Sequence, residues 1–343
     1  MNSTPASPLR IAVLGAANIA RLFIAGVRPS RKVSVVAVAA RDAGRAQRFA
    51  DETGVARVVP TYDALLADPA IDAIYNPLPN SLHAEWSIRA LDAGKHVLCE
   101  KPLATSGGEA RAMFDAAKRN GRALAEAYPY RAQPQTLKLR ELLRDNAIGR
   151  VQLIQAAFGF PLADAANIRM NPALAGGALM DAGCYPVSFV RMVAGARPAR
   201  VQALAHWSDS GVDRTLVASI GFDSGLIAQI SCTFATARHR HAFIAGDEGT
   251  IATTYYNDTS ATFPPLVEVK RGKGWDAQRE IVETSATNGF LAEAEAFADL
   301  VTRGPSQWSG ATPEESIDIA MTLEALAESA RRNVAVDVGA RSV

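Results

Sequence analysis

Residues 97–102, Val-Leu-Cys-Glu-Lys-Pro, pass from an apolar run that suits a buried strand straight into a carboxylate, an ammonium and a proline. Two readings fit Glu100 and Lys101. One is a solvated ion pair at a strand end. The other is a reactive lysine held at the mouth of a sheet, where an ammonium polarises a ligand oxygen and lowers the pKa of a nearby phenol. A second set lies in "DAGCY", where Asp181 and Tyr185 are four residues apart. On a helix, that spacing puts both side chains on one face, within reach of a common ligand. Pro186 removes a backbone donor there and is expected to kink the helix. Read singly, Asp181 is a helix-start carboxylate and Tyr185 a half-buried core tyrosine. Joined to a strand-end lysine across a cleft, they form a set able to move protons.

Such a set needs a scaffold, and the chain's periodicity supplies one. "LRIAVLG", "VSVVAVAAR", "IDAIYNPLP", "KHVLCEKP" and "RALAEAY" read as buried strands. They alternate with "NIARLFIAGV", "DAGRAQRFADETG", "SLHAEWSIRALDAG" and "SGGEARAMFDAAKRNG", which read as helices. Continuous apolar strands alternating with amphipathic helices predict a parallel sheet covered on both faces. Ligands bind such sheets at the carboxyl ends of the strands, which is where Lys101 falls. After about residue 150 strands follow one another closely: "VQLIQAAFGF", "RVQALAHWS", "RTLVASIGF", "GLIAQISCTFA", "HAFIAG" and "GTIATTY", with hairpin turns "FDSG" and "GDEG". This half predicts a mostly antiparallel sheet. Two late helices, "FLAEAEAFADLVTRG" and a second opened by Thr312, Pro313 and a Glu pair, should pack on the domains. The boundary is expected near residue 128, giving domains 1–128 and 129–343.

Composition narrows the function classes. Of 343 residues, 36 are basic and 35 acidic, a net charge of +1 that offers no attraction to nucleic acid or an anionic membrane. Cys99, Cys184 and Cys232 form no CxxC pair and read as buried thiols in a reducing compartment. His239 and His241 suit one face of a strand, and no ligand set for a metal is completed around them. The N-terminal "MNSTPASPLR" reads as a short disordered tail without an export signal. No apolar stretch of membrane-spanning length is apparent. The expectation is a soluble, cytoplasmic protein.

The first strand ends in "GAANIA", residues 15–20. Against the G-x-G-x-x-G/A fingerprint only Gly15 is kept as glycine, with Ala17 and Ala20 at the later positions. The context is the required one, a strand followed by a turn and a helix whose N-terminal amides suit a phosphate. Gly15, Ala16, Ala17, Asn18 and Ile19 are therefore candidate dinucleotide contacts. The second strand ends in Ala40 and Arg41. Arg41 is either a surface arginine or the holder of a ribose 2′-phosphate, while Asp42, one residue on, would suit a free ribose. Asn76, Leu78, Pro79 and His83 follow a third strand end on the same edge.

Residues 75–104, "YNPLPNSLHAEWSIRALDAGKHVLCEKPLA", closely resemble the strand region that characterises the glucose–fructose oxidoreductase, inositol dehydrogenase and rhizopine-catabolism (Gfo/Idh/MocA) family. "GGALMDAGCYPVSFVRMVAG", residues 176–195, resembles the family's second signature, and "AYPYRAQPQ", residues 127–135, its interdomain segment. Within the family the chain looks most similar to the branch holding dimeric dihydrodiol dehydrogenase, NADP-dependent D-xylose dehydrogenase and glucose–fructose oxidoreductase. The resemblance implies an α/β Rossmann domain followed by an α+β domain whose large, mostly antiparallel open sheet mediates a homodimer or homotetramer. It implies NADP rather than NAD and a sugar or polyol substrate, and with no completed ligand set in the sequence no metal is expected.

By the same resemblance Lys101 is the catalytic-site lysine, with Asp181 and Tyr185 as its partners. Asn76 to Pro79 pass beside the cofactor, and Tyr130 and Arg131 border the nicotinamide pocket. Glu100 is expected to orient the lysine or a ribose hydroxyl, and Arg169 is either a substrate contact or a surface arginine. Oxidising an alcohol to a carbonyl needs a base for the proton that leaves as the hydride departs. A free phenol titrates near about 10, and an adjacent ammonium lowers that value, so Tyr185 is the expected base, with a neutral Lys101 as its competitor. The alternatives are a trans-dihydrodiol dehydrogenase or anhydro-sugar reductase on the same scaffold, an enzyme with a tightly held cofactor that exchanges hydride between two sugars, and a non-catalytic NADP sensor.

Overall fold

The first strand, β1 (Leu9–Leu14), is almost wholly buried, and the helix after it, α1 (Asn18–Val27), buries Phe23, Ile24 and Val27. This β–α unit repeats as β2 (Val33–Ala39), α2 (Ala43–Thr53), β3 (Arg57–Val58), α3 (Tyr62–Ala67), β4 (Ala73–Asn76), α4 (His83–Asp92), β5 (His96–Glu100), α5 (Gly107–Asn120) and β6 (Leu124–Ala127). The computed structural model describes residues 7–164 and 166–339; most of the expected polar tail, residues 1–6, lies outside them. The six strands pair in parallel in the order β3-β2-β1-β4-β5-β6. The order reverses between β1 and β4, the position at which open parallel sheets leave a crevice for ligands. The short β3 and α3 stand outside the alternation read from the sequence.

The junction continues through α6 (Pro134–Arg144), also outside that reading, into β7 (Val151–Gly159) and α7 (Cys184–Ala194). Then come β8 (Arg200–Trp207), β9 (Asp213–Gly221), β10 (Ile227–Thr233), β11 (His239–Gly246), β12 (Gly249–Thr254), β13 (Val267–Arg271) and β14 (Gln278–Ile281). Together with β15 (Val336–Asp337) they form a nine-stranded sheet in the order β14-β13-β12-β11-β7-β10-β9-β8-β15. Only the β7–β10 pair is parallel.

One face of this sheet is covered by α7 and by α9 (Pro313–Arg332), whose start carries a full capping box between Thr312 and Glu315. The alternating burial of β8, β9 and β10 leaves Leu204, Val217 and Ile227 exposed on the other face. The remaining helix, α8 (Gly289–Arg303), turns back to the first sheet, where Phe290, Ala294 and Phe297 join Phe23 and Tyr75 in one core.

One helical stretch, Pro172–Ala194, is long and apolar enough to cross a membrane, contrary to the expectation of none. It is 67% buried inside the protein, because its apolar side chains pack on the nine-stranded sheet.

Candidate active site

Lys101 follows β5 directly, at the carboxyl edge of the first sheet. The Lys101–Pro102 peptide bond is cis. The lysine side chain crosses to the second domain, where Nζ donates to the Asp181 main-chain carbonyl at 2.7 Å and to its Oδ1 at 3.2 Å. The same ammonium lies 4.9 Å from the centroid of the Tyr185 ring. Arg169 completes the cluster, with Nε donating to Asp181 Oδ2 at 2.7 Å. The sequence thus brought together four of its expected site residues. The Lys101 and Asp181 side chains keep 11% and 13% exposure, enough for a ligand to reach them.

The segment holding Asp181 and Tyr185 is not a uniform α-helix. Leu179–Gly183 forms a wide π turn, and α7 begins at Cys184. A π turn pairs each carbonyl with the N–H five residues on. For Asp181 that residue is Pro186, which has no N–H. The Asp181 carbonyl accepts from Lys101 instead, so the expected irregularity at Pro186 takes the form of a second anchor for the lysine.

Electrostatics depart from the sequence expectation at Tyr185. Burial pushes its phenol up to about 12, outweighing the downward pull of Lys101 first and Arg240 second. Lys101 does lower the phenol, as expected, but the net shift is upward. For Lys101 burial disfavours the charge, yet Asp181, Tyr185, Cys184 and Glu100 together outweigh it and the pKa is raised. That argues against a neutral lysine base. Burial likewise opposes ionisation of Asp181, but Lys101 and Arg169 hold its carboxyl below the usual value.

Several side chains expected at the site turn inward. His83 is buried, with Nδ1 and Nε2 at 2.8 and 2.7 Å from the carbonyls of Pro102 and Leu78, and it ties that loop beneath Lys101. The Asn76 amide is satisfied by the His83 carbonyl and Ser87 Oγ. Glu100 takes the Tyr75 hydroxyl at 2.5 Å rather than the lysine ammonium. Arg131 is 1% exposed and bound to both oxygens of Glu315 at 2.9 Å. The Tyr130 hydroxyl pairs with Ser188 at 3.0 Å, so only its ring lies against Tyr185. These groups brace the site from below, because each has buried polar atoms that need a partner within the protein.

Asn257 and Arg240 were not among the expected residues. Asn257 Nδ2 donates to the Tyr185 hydroxyl at 2.7 Å, and Arg240 stacks on the Tyr185 ring at 3.9 Å. A signal for Arg240 was available. If His239 and His241 share the outer face of a strand, Arg240 between them must point inward.

The residues beyond β1 and β2 fit a phosphate-bearing dinucleotide. The start of α1 has no side-chain cap at Ala17 and no acid in its first turn, which leaves the amides of Asn18 and Ile19 available. Gly15 adopts φ +88°, and a Cβ there would sit 3.1 Å from Leu78. Ala16 and Ala40 are buried, and Pro79 partly so. Arg41 and Arg45 are exposed on this rim, and both act on the Tyr62 phenol. The Asp42 carboxylate accepts from the Arg45 amide at 2.6 Å as the cap of α2, which draws it away from a ribose. Among the described residues no group of three or more His, Cys, Asp or Glu is arranged to hold a metal.

Comparison with known proteins places these features in context. The profile described as "Oxidoreductase family, NAD-binding Rossmann fold" matches residues 9–128, and that of the GFO/IDH/MocA C-terminal domain matches residues 136–252. The chain is 36% identical over 334 residues to D-xylose 1-dehydrogenase (NADP(+)) 2 of Haloferax volcanii, covering 95% of this chain and 98% of that one. It is 37% identical over 246 residues to trans-1,2-dihydrobenzene-1,2-diol dehydrogenase of Danio rerio, covering 71% and 73%. Among solved structures, a 3-ketoreductase from Actinomadura kijaniata in complex with NADP and TDP-benzene superposes with a TM-score of 0.84 at 32% identity, covering 94% and 98%. By profile, sequence and structure alike, the chain belongs to the Gfo/Idh/MocA oxidoreductase family.

Proposed function

We propose that the protein is an NADP-dependent oxidoreductase that moves a hydride between nicotinamide C4 and a carbinol carbon of a sugar or cyclic polyol. The observation that carries this reading is the Lys101–Asp181–Tyr185 cluster, built across the two domains at the ligand edge of the parallel sheet. In this reading residues 1–128 hold the dinucleotide and residues 129–343 present the substrate side. Gly15 to Ile19 lie along the pyrophosphate, and Arg41 takes the 2′-phosphate. The bound nicotinamide supplies the carbon that gives or accepts hydride.

The protein's own groups handle the proton. Lys101 and Arg169 favour negative charge on the substrate oxygen. Tyr185 gives its hydroxyl proton to that oxygen in reduction and takes it back in oxidation. Asp181 holds Lys101 and Arg169 in place. With its phenol raised to about 12, Tyr185 rests in the acid form, and a positive ring nearby would favour the phenolate that oxidation requires. The NADP-dependent D-xylose dehydrogenase and the diol dehydrogenase among the relatives support the substrate class.

The test is Tyr185→Phe, assayed with NADP across a panel of aldoses and polyols over a range of pH. The expected result is a loss of kcat on the order of 10²–10⁴-fold with cofactor binding retained. Near-normal turnover of the variant across pH would refute Tyr185 as the proton-transfer group.

The same reading includes a homodimer or homotetramer in the cytoplasm. The outer face of the nine-stranded sheet, with Leu204, Val217 and Ile227 at 61%, 47% and 53% exposure, supports the assembly. Three buried free thiols suit a reducing compartment.

A further inference from the structure

Arg240 sits on β11 with its side chain turned to the helix-covered face of the sheet, at 4% exposure. Its guanidinium carbon lies 3.9 Å from the ring centroid of Tyr185, 4.7 Å from Tyr255, 4.9 Å from Phe158 and 5.3 Å from Tyr130. Its one polar contact among the described residues is from Nη1 to Asn257 Oδ1 at 3.1 Å. Among the described residues Nε and Nη2 have no hydrogen-bond partner, and no carboxylate pairs with the guanidinium. Four aromatic faces offset part of the burial of this cation. They do not neutralise it, and a buried charge without a counter-ion is normally avoided.

Asn257 explains the arrangement. Its carbonyl oxygen accepts from Arg240, which turns its amide nitrogen onto the Tyr185 hydroxyl oxygen at 2.7 Å. The phenol oxygen therefore accepts from Asn257, and its own proton is left to point elsewhere. The titratable groups acting on Tyr185 come from several elements: Lys101 and Glu100 at the end of β5, the neutral Cys184 thiol on its own helix, Arg240 on β11, Arg169 on the loop between β7 and α7, and the neutral phenols of Tyr75 on β4 and Tyr128 after β6. Lys101, Arg169 and Arg240 favour a phenolate, and Glu100 opposes it.

We propose that Arg240 and Asn257 are positioning residues for Tyr185: the caged guanidinium is the counter-charge of its phenolate, and Asn257 aims its proton into the cleft. The inference rests on Tyr185 as the proton-transfer group. It adds the reason that so buried a phenol can ionise during a catalytic cycle. Lys101 meets the substrate oxygen from the cleft side, and Arg240 supports the same phenol from behind.

A difluorotyrosine placed at position 185 of the full-length enzyme lowers the phenol's range and gives a fluorine NMR signal that reads its ionisation without any substrate. Arg240→Met and Asn257→Leu should each raise the titration midpoint by about one pH unit or more, and Arg240→Lys should restore most of it. In the unlabelled enzyme, the pH at which oxidative kcat/KM levels off should move the same way. An unchanged midpoint in folded Arg240→Met would overturn the proposal. If that variant does not fold, Asn257→Leu leaves the aromatic cage intact, and an unchanged midpoint there would overturn it equally. A shifted midpoint together with full turnover of Tyr185→Phe would uphold the positioning pair and refute the catalytic role of the tyrosine. The reverse pattern, an inactive Tyr185→Phe with unmoved midpoints, would refute the pair alone.

Discussion

Asp181 accepts from two cations at once, Lys101 at 3.2 Å on one carboxylate oxygen and Arg169 at 2.7 Å on the other. One negative charge shared between two positive ones leaves the cluster net positive on the side facing the cleft. An oxygen that gains negative charge there is favoured, whereas a neutral one gains little. That difference between charged and neutral oxygen is what accelerates a carbonyl–alcohol interconversion.

Replacing Lys101 by Met should therefore lower kcat on the order of 10²–10³-fold while leaving NADP(H) affinity within a few-fold. Arg169 remains to hold Asp181, so the fold should survive. Steady-state kinetics alongside a fluorescence titration with NADPH separates the two effects, and a normal kcat in the variant would remove Lys101 from the reaction.

Arg41→Ala addresses cofactor choice. The loss of one charge-assisted contact to a phosphate should weaken NADPH binding roughly 10- to 100-fold and leave NADH binding nearly unchanged. Equal losses for both cofactors, or none for either, would show that Arg41 is a solvated surface arginine.

A pH effect on stability is expected at Glu126, which is 1% exposed, with Oε1 accepting from the Leu103 amide and Oε2 unpartnered among the described residues. Burial pushes its carboxyl up from 4.5 to about 7. Between those values the folded state binds a proton that the unfolded state has released, so stability falls as pH rises through this window. Glu126→Gln removes that contribution and should be the more stable protein at about pH 8, by roughly 1–3 kcal/mol, with little difference below about pH 5. Denaturant midpoints of the two proteins at both pH values would check the sign.

At the domain junction, Glu315→Gln should cost about 3–5 kcal/mol, because it leaves the Arg131 guanidinium buried without its anion. The same carboxylate closes the capping box of α9, a contact that a glutamine oxygen also makes, so the loss is that of the charge. Urea unfolding gives the number, and a change below about 1 kcal/mol would mean that water or Ser188 replaces the glutamate.

The alternation of apolar strands with amphipathic helices, with a change of rhythm after about residue 150, was readable because each element's burial is written in its own periodicity. Lys101 at a strand end and the Asp181–Tyr185 spacing were readable for the same local reason. The short β3 and α3, and the short strands β13 and β14 at one end of the second sheet, carry too little periodic signal to stand out. Composition and spacing could not show which polar side chains face the cleft and which brace it. His83, Asn76, Glu100 and Arg131 all lie beside the site in sequence, yet their polar atoms are bound inside the protein. Only tertiary packing decides that, since a buried polar group takes whichever partner the neighbouring elements bring within reach. The same is true of Arg240 and Asn257, which lie 55 and 72 residues beyond Tyr185 and meet it only because β11 and the chain after β12 close behind its ring.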